Sequence, residues 1–227
     1  MTIGVCVWLL LGAQLWGSQV ASSLKWQRAA VVPDSYAGVF PPGSTGPLVQ
    51  SYGFCTSGFL NDELQKKCDA GTMELTELDL YLMSTAPSVP WVFLQSKTDI
   101  VQQSFYVSIA ISMNATQKTI TPTEFYNGVN DIFGLYNAQR ANFVTYLING
   151  DHHCYTPQTV YYTADPVSDS DNGAQSQSPL LYAYVNTLPL AAGGQISTVC
   201  DGALQRGASD NTYCSSKVVP KTFVEPN

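Results

Sequence analysis

Two short segments constrain this chain more than any other feature: PWVFLQ at Pro90–Gln95 and FVTYLI at Phe143–Ile148. Pro90–Gln95 is apolar at successive positions and so offers no face to water. Such a strand has to be covered on both sides, the condition of a central strand in a parallel sheet. Parallel neighbours need a crossover of a dozen or more residues, and the stretch between the two segments holds two helical patterns. Ile100–Ala110 follows the first strand after the short segment Ser96-Lys97-Thr98-Asp99. Thr121-Pro122-Thr123-Glu124 opens the second helix, with Thr121 as cap, Pro122 at the first helical position and Glu124 three residues on. That helix runs to Gln139, with Phe125, Val129, Ile132, Phe133 and Tyr136 on one face.

The flanking segments extend the pattern. Leu15–Leu24 reads as a short helix, and Ala29–Val32 as a buried strand stopped by Pro33-Asp34-Ser35. Residues 38–72, rich in Gly, Pro, Ser and Thr, read as a long connection anchored by Phe40, Tyr52, Phe54 and Phe59. In Glu74–Met83 the leucines at 75, 78 and 82 recur at helical spacing. Residues 156–180 are polar and read as an exposed loop. Leu180–Leu188 is an apolar helix able to cover the sheet, and 190–227 is a turn-rich tail containing cysteines. Strands alternating with helices predict an α/β fold around a mostly parallel sheet with flanking helices.

Composition removes several function classes. Apolar residues make up 45% and charged residues 12%, which excludes intrinsic disorder. The formal charge of -7 and the absence of a basic stripe argue against a nucleic-acid partner. No apolar run approaches the ~20 residues of a stable membrane span. No CxxC pair occurs among Cys6, Cys55, Cys68, Cys154, Cys200 and Cys214. Cys55/Cys68 and Cys200/Cys214 each suit a short disulfide loop, and Cys154 suits either Cys200 or Cys214. Together with the glycosylation sequon Asn114-Ala115-Thr116, these cysteines predict a secreted, disulfide-bonded glycoprotein. The N-terminus has two readings. Val5–Leu11 (VCVWLLL), followed by Ala21-Ser22-Ser23, has the length of a signal peptide, although no Lys or Arg precedes it; equally, it starts a buried strand or helix.

Chemistry in an open α/β sheet sits at the carboxyl ends of strands. Two such ends carry reactive groups: Asp99 after PWVFLQSKT and His153 after FVTYLINGDH. An acid after one strand and a histidine after the next is the order of the last two members of an α/β-hydrolase triad. There His153 takes the nucleophile's proton and returns it to the leaving group, while Asp99 orients the imidazole. Asp99 also suits the plain role of helix cap. Of the two histidines, one is a bystander or structural. A metal site at Asp151-His152-His153-Cys154 is disfavoured because adjacent residues of an extended chain point opposite ways, and no metal or other cofactor is expected. Asp34 suits either a turn or a contact to substrate or to the catalytic groups.

PWVFLQSKTDIVQQ followed by a helix and NFVTYLINGDHHCYTP resembles the pectinacetylesterase-like hydrolases. These are secreted α/β-hydrolases that include plant cell-wall deacetylases and Notum-type lipid deacylases. AVVPDSYAGVF is similar to their strand and loop after the nucleophile helix, and the resemblance spans residues 12–165. It implies a carboxylic-ester hydrolase working by Ser-His-Asp chemistry. The family acid, the Asp of a QSxxD stretch, matches Asp99; the family base, the His closing a GxxH stretch, matches His153 rather than His152. The implied substrate is an ester, of an acetylated polysaccharide or an acylated protein.

The family's nucleophile elbow, GxSAGG, should fall near Gly4–Gly12, where this chain reads GVCVWLLLG. No GxSxG occurs in the 227 residues, so no nucleophile is identified. Ser18 lies too far along the helix. Cys6 follows Gly4 at the right spacing, but Val7-Trp8-Leu9 follows where the elbow needs small residues. The expectation is a single incomplete α/β-hydrolase domain over 1–227, the C-terminal half of a longer fold and inactive in isolation. In that reading 1–23 is a signal peptide or a remnant of the nucleophile strand and helix, about three parallel strands remain, and an apolar sheet edge is bare. The alternative is a secreted pseudoenzyme that binds a glycan or a protein through the aromatic loops 36–59 and 155–162.

Overall fold

A computed structural model describes residues 2–5, 10–23, 28–167, 178–200, 218 and 221–226. The strands expected from the sequence form its centre: β2 (Ala30–Pro33), β3 (Trp91–Ser96) and β4 (Phe143–Ile148), preceded by β1 (Thr2–Val5). All pair in parallel, in the order β1-β2-β3-β4. Between β1 and β2 runs α1 (Leu10–Ser23). Between β2 and β3 run α2 (Thr45–Ser51), α3 (Asp62–Asp69) and α4 (Leu75–Thr85). Between β3 and β4 run α5 (Ile100–Ser112) and α6 (Pro122–Gln139).

Every described side chain of β2, β3 and β4 is buried, and alternation sends successive ones to opposite layers. Val31, Trp91, Phe93, Phe143 and Leu147 pack with Leu75, Leu78 and Leu82 of α4 and Phe125, Val129, Phe133 and Tyr136 of α6. Val32, Val92, Leu94, Val144 and Tyr146 pack against Leu181, Tyr184 and Val185 of α7 (Leu181–Asn186). The α6 start has the expected capping box: Glu124 N donates to Thr121 Oγ1 and Thr121 N donates to Glu124 Oε2, with Pro122 in the first turn. A close approach joins α1 to β2, since a Cβ at Gly17 would lie 2.7 Å from Val31 Cγ1.

Two regions are more ordered than their composition suggests. The long connection 38–72 contains α2, α3 and a short 3-10 turn at Phe54–Thr56. Asn61 caps α3 by accepting from Leu64 N, the Cys55–Cys68 disulfide ties the turn to α3, and Trp16 packs edge-on against Phe54 and Phe59. These helices carry too few apolar positions for their periodicity to be seen. The tail forms an antiparallel pair, β5 (Gln195–Ser197) with β6 (Thr222–Val224). Next to it, Val199 bonds along the outer edge of β4, its N–H donating to Thr145 O and its carbonyl accepting from Leu147 N. Part of the β4 edge is therefore covered. Cys154 and Cys200 are also disulfide-bonded. Cys6, Cys214 and residues 168–177 lie outside the described residues. No helix among the described residues is long and apolar enough to cross a membrane.

Asp79 of α4 is fully buried, and its Oδ2 accepts from Tyr136 OH at 2.8 Å. Burial pushes its carboxyl up from 3.8 to about 7. A raised folded-state value means that the native state holds the proton more tightly than the unfolded chain. Stability from this group is therefore full below pH 4 and is lost as pH rises towards 7, by at most on the order of 4 kcal/mol. Urea unfolding at pH 5 and pH 8 should show a smaller loss for Asp79→Asn than for the parent chain; equal losses would refute the assignment.

Asn114 is exposed just beyond α5, where its sequon is open to a transferase. Secretory expression should yield a product whose gel mobility rises on treatment with peptide-N-glycosidase. Thr116→Ala should abolish that change.

Candidate active site

The parallel pairing aligns strand ends. Trp91 to Ser96 pair in register with Phe143 to Ile148, so the segments leaving β3 and β4 run side by side. Lys97 N donates to Ile148 O, Thr98 N to Gly150 O, and Ile100 N to Asp151 O. Asp34, Asp99 and His153 thus gather at the carboxyl ends of three neighbouring strands, where open α/β sheets place ligands.

Asp99 is fully buried and fills both roles that the sequence left open. As the cap of α5, its Oδ1 accepts from Val101 N at 3.0 Å and from Gln102 N at 2.9 Å. As the partner of His153, its Oδ2 lies 2.8 Å from Nδ1 and its Oδ1 3.0 Å. Gln102 was not singled out from the sequence, where its one signal is its place three residues after Asp99 on the helix. Its Nε2 donates to Asp99 Oδ2 at 3.0 Å and to Gln95 Oε1 at 2.9 Å, and its Oε1 accepts from Ala37 N at 2.9 Å. It thereby fixes the second carboxylate oxygen to β3 and to the loop after β2.

With Nδ1 donating to a carboxylate, the imidazole keeps its lone pair on Nε2. That atom is buried and has no hydrogen-bond partner among the described residues. His153 borders a cleft of about 520 Å3, lined by Leu15 and Trp16 of α1, Tyr36 of the loop after β2, Phe40 and Tyr52 of the connection, and Gln102, Phe105 and Ile109 of α5. His152, the other histidine, instead lies with its ring 5.1 Å from that of Tyr155, and its carbonyl accepts from Ser96 Oγ. No group of three or more His, Cys, Asp or Glu is arranged to hold a metal among the described residues.

The remaining sequence candidates separate. Asp34 is buried, and its carboxylate accepts from the backbone of Tyr155 and Thr156. Ser18 is buried in α1 and is not among the residues lining the cleft. Ser108 and Ser112, which do line it, donate to Ser104 O and Ile109 O of their own helix. No serine hydroxyl among the described residues is bonded to His153 Nε2. The assembled chemistry is an oriented base beside an apolar cleft, suited to taking a proton from a hydroxyl brought to Nε2. Comparison of the chain with protein-family models, curated proteins and solved structures finds no match in any of the three.

Asp99→Ala removes a helix cap and leaves the buried donors of His153 and Gln102 unpaired. Urea unfolding should register a loss of about 2 kcal/mol or more. His153→Ala, which keeps the cap, should lose clearly less.

Proposed function

We propose that this chain carries the acid–base half of a carboxylic-ester hydrolase of the α/β-hydrolase type. The observation that carries the reading is the His153 Nδ1–Asp99 contact of 2.8 Å, formed with Nε2 unpartnered and the ring bordering an apolar cleft. His153 is the general base, then the acid that returns the proton to the leaving alcohol; Asp99 holds the tautomer and stabilises the imidazolium. The resemblance of PWVFLQSKTDIVQQ and NFVTYLINGDHHCYTP to the pectinacetylesterase-like hydrolases supports the same two assignments. The Cys55–Cys68 disulfide is compatible with an oxidising, secretory compartment, where esters of acetylated polysaccharides or acylated proteins occur. Because the lining is mainly aromatic and aliphatic, the cleft is assigned to the acyl side of the ester.

A second reading, a non-catalytic binding protein on the same scaffold, is favoured by one observation. The cleft carries Trp16, Tyr36, Tyr52 and Phe105, but no serine of the described residues is bonded to Nε2. Aromatic faces of that kind hold apolar ligands or sugar rings without any chemistry.

A small added alcohol distinguishes the two. The isolated chain, lacking GxSxG, should hydrolyse p-nitrophenyl butyrate at little above background. Methanol admitted to the cleft should act as the missing nucleophile, deprotonated at Nε2. Methanol-dependent release of p-nitrophenol should then fall at least tenfold in His153→Ala and Asp99→Asn, the low end of general-base effects. A methanol response unchanged by His153→Ala would leave the binding reading.

A further inference from the structure

We propose that Asp34 and Ser35 are positioning residues for His153, acting through the backbone of the three residues that follow it. The inference rests on the Asp99–His153 reading above and extends it to a pair of side chains on a different strand. Asp34 follows β2 directly and bridges to Leu94 of β3, while Ser35 N donates to Leu94 O at 2.7 Å. The pair is therefore fixed to the centre of the sheet. Both residues are fully buried.

Three successive amides point at this pair. Cys154 N donates to Ser35 Oγ at 2.8 Å, Tyr155 N to Asp34 Oδ1 at 3.1 Å, and Thr156 N to Asp34 Oδ2 at 2.8 Å. Ser35 Oγ donates to Asp34 Oδ1 at 3.0 Å, and Thr156 Oγ1 donates to Oδ2 at 2.7 Å. The last two of these N–H groups converge on the Asp34 carboxylate as a nest does on an anion, while the first meets the Ser35 hydroxyl, itself bonded to that carboxylate. Such a nest requires an unusual backbone. Cys154 has φ 62° and Ser35 has φ 64°, both left-handed and both without the freedom of glycine. Two strained residues facing each other across one hydrogen bond, next to a candidate base, are the kind of outlier that surrounding structure must hold in place.

The consequence falls on the imidazole. His153 is joined to Cys154 by a single peptide bond, so the left-handed turn at Cys154 sets where the His153 backbone lies and from which side its ring meets Asp99. Asp34 itself is not among the residues lining the cleft. It acts through the loop and not on a reacting atom.

The ring tautomer of His153 reads this out directly. The chain has two histidines, so long-range 1H–15N spectra of histidine-labelled protein show two ring systems. At a pH where both imidazoles are neutral, His153 of the parent chain should be mainly the Nδ1–H tautomer, which donation to Asp99 requires. Asp34→Asn places an N–H against the nest, and His153 should revert to mainly Nε2–H while the amide signals of β3 and β4 stay in place. Ser35→Gly should weaken the preference without adding strain, because glycine accepts the same φ; it decides the matter if Asp34→Asn fails to fold. Thr156→Val, which removes a side-chain contact but none of the three amides, should leave the tautomer unchanged. Retention of Nδ1–H in both Asp34→Asn and Ser35→Gly overturns the proposal. Absence of that tautomer in the parent chain overturns the Asp99–His153 pair, and this proposal with it.

Discussion

The in-register parallel pairing of Trp91–Ser96 with Phe143–Ile148 is the constraint on which the rest depends. Parallel strands leave the sheet at the same end, so whatever follows β3 meets whatever follows β4. Asp99 comes three residues after Ser96 and His153 five after Ile148, and their contact needs no long reach by either side chain. The pairing in turn requires burial on both faces, which α4 and α6 provide on one side and α7 on the other. Slipping the register by one residue would send Trp91, Phe93 and Phe143 into the opposite layer. The site geometry and the core packing are thus the same fact at two distances from the sheet.

Most of that frame was legible in the sequence because its signals are strong and local. PWVFLQ and FVTYLI are mostly apolar runs, interrupted by Gln95 and Thr145 alone; Thr121-Pro122-Thr123-Glu124 states a helix start in three independent ways; Leu75, Leu78 and Leu82 keep helical spacing. Asp99 and His153 were legible as residues after successive strands, and the structure brings His153 Nδ1 within 2.8 Å of Asp99 Oδ2. What stayed hidden lacked a periodic signal. Helices α2 and α3 bury two or three residues each and owe their order to a cap, a disulfide and aromatic contacts with Trp16. Strands β5 and β6 are three residues long and pair across a long sequence separation, so composition registers them as turn.

Gln102 was hidden for a different reason, and Asp34, legible as a turn residue or a site contact, showed nothing of its partners. Their roles are set by acceptors and donors from distant parts of the chain: Ala37 for Gln102, and Cys154 to Thr156 by way of Ser35 and Asp34. A glutamine three residues into a helix and an aspartate after a strand are ordinary in isolation. Read locally, Asp34 is a turn residue, and it does sit at a turn. The carboxylate's second contact set appears once β2 is known to be separated from β4 by β3 alone.

Asp99 combines two roles on one carboxylate. A capping aspartate and a histidine-orienting aspartate are usually weighed as rivals, since each gives a full account of a buried carboxylate. Here a carboxylate has two oxygens and several lone-pair directions, and the helix dipole favours negative charge at the start of α5. Capping uses Oδ1 through two backbone amides; Gln102 holds Oδ2; the imidazole spans both oxygens. The backbone amides of the cap fix the carboxylate to the helix independently of the histidine, so the acceptor is oriented by the fold itself. The capping role holds the carboxylate where the imidazole meets it, so a substitution that damages the cap also shifts the acceptor of His153 Nδ1, even where no bond to His153 has been removed.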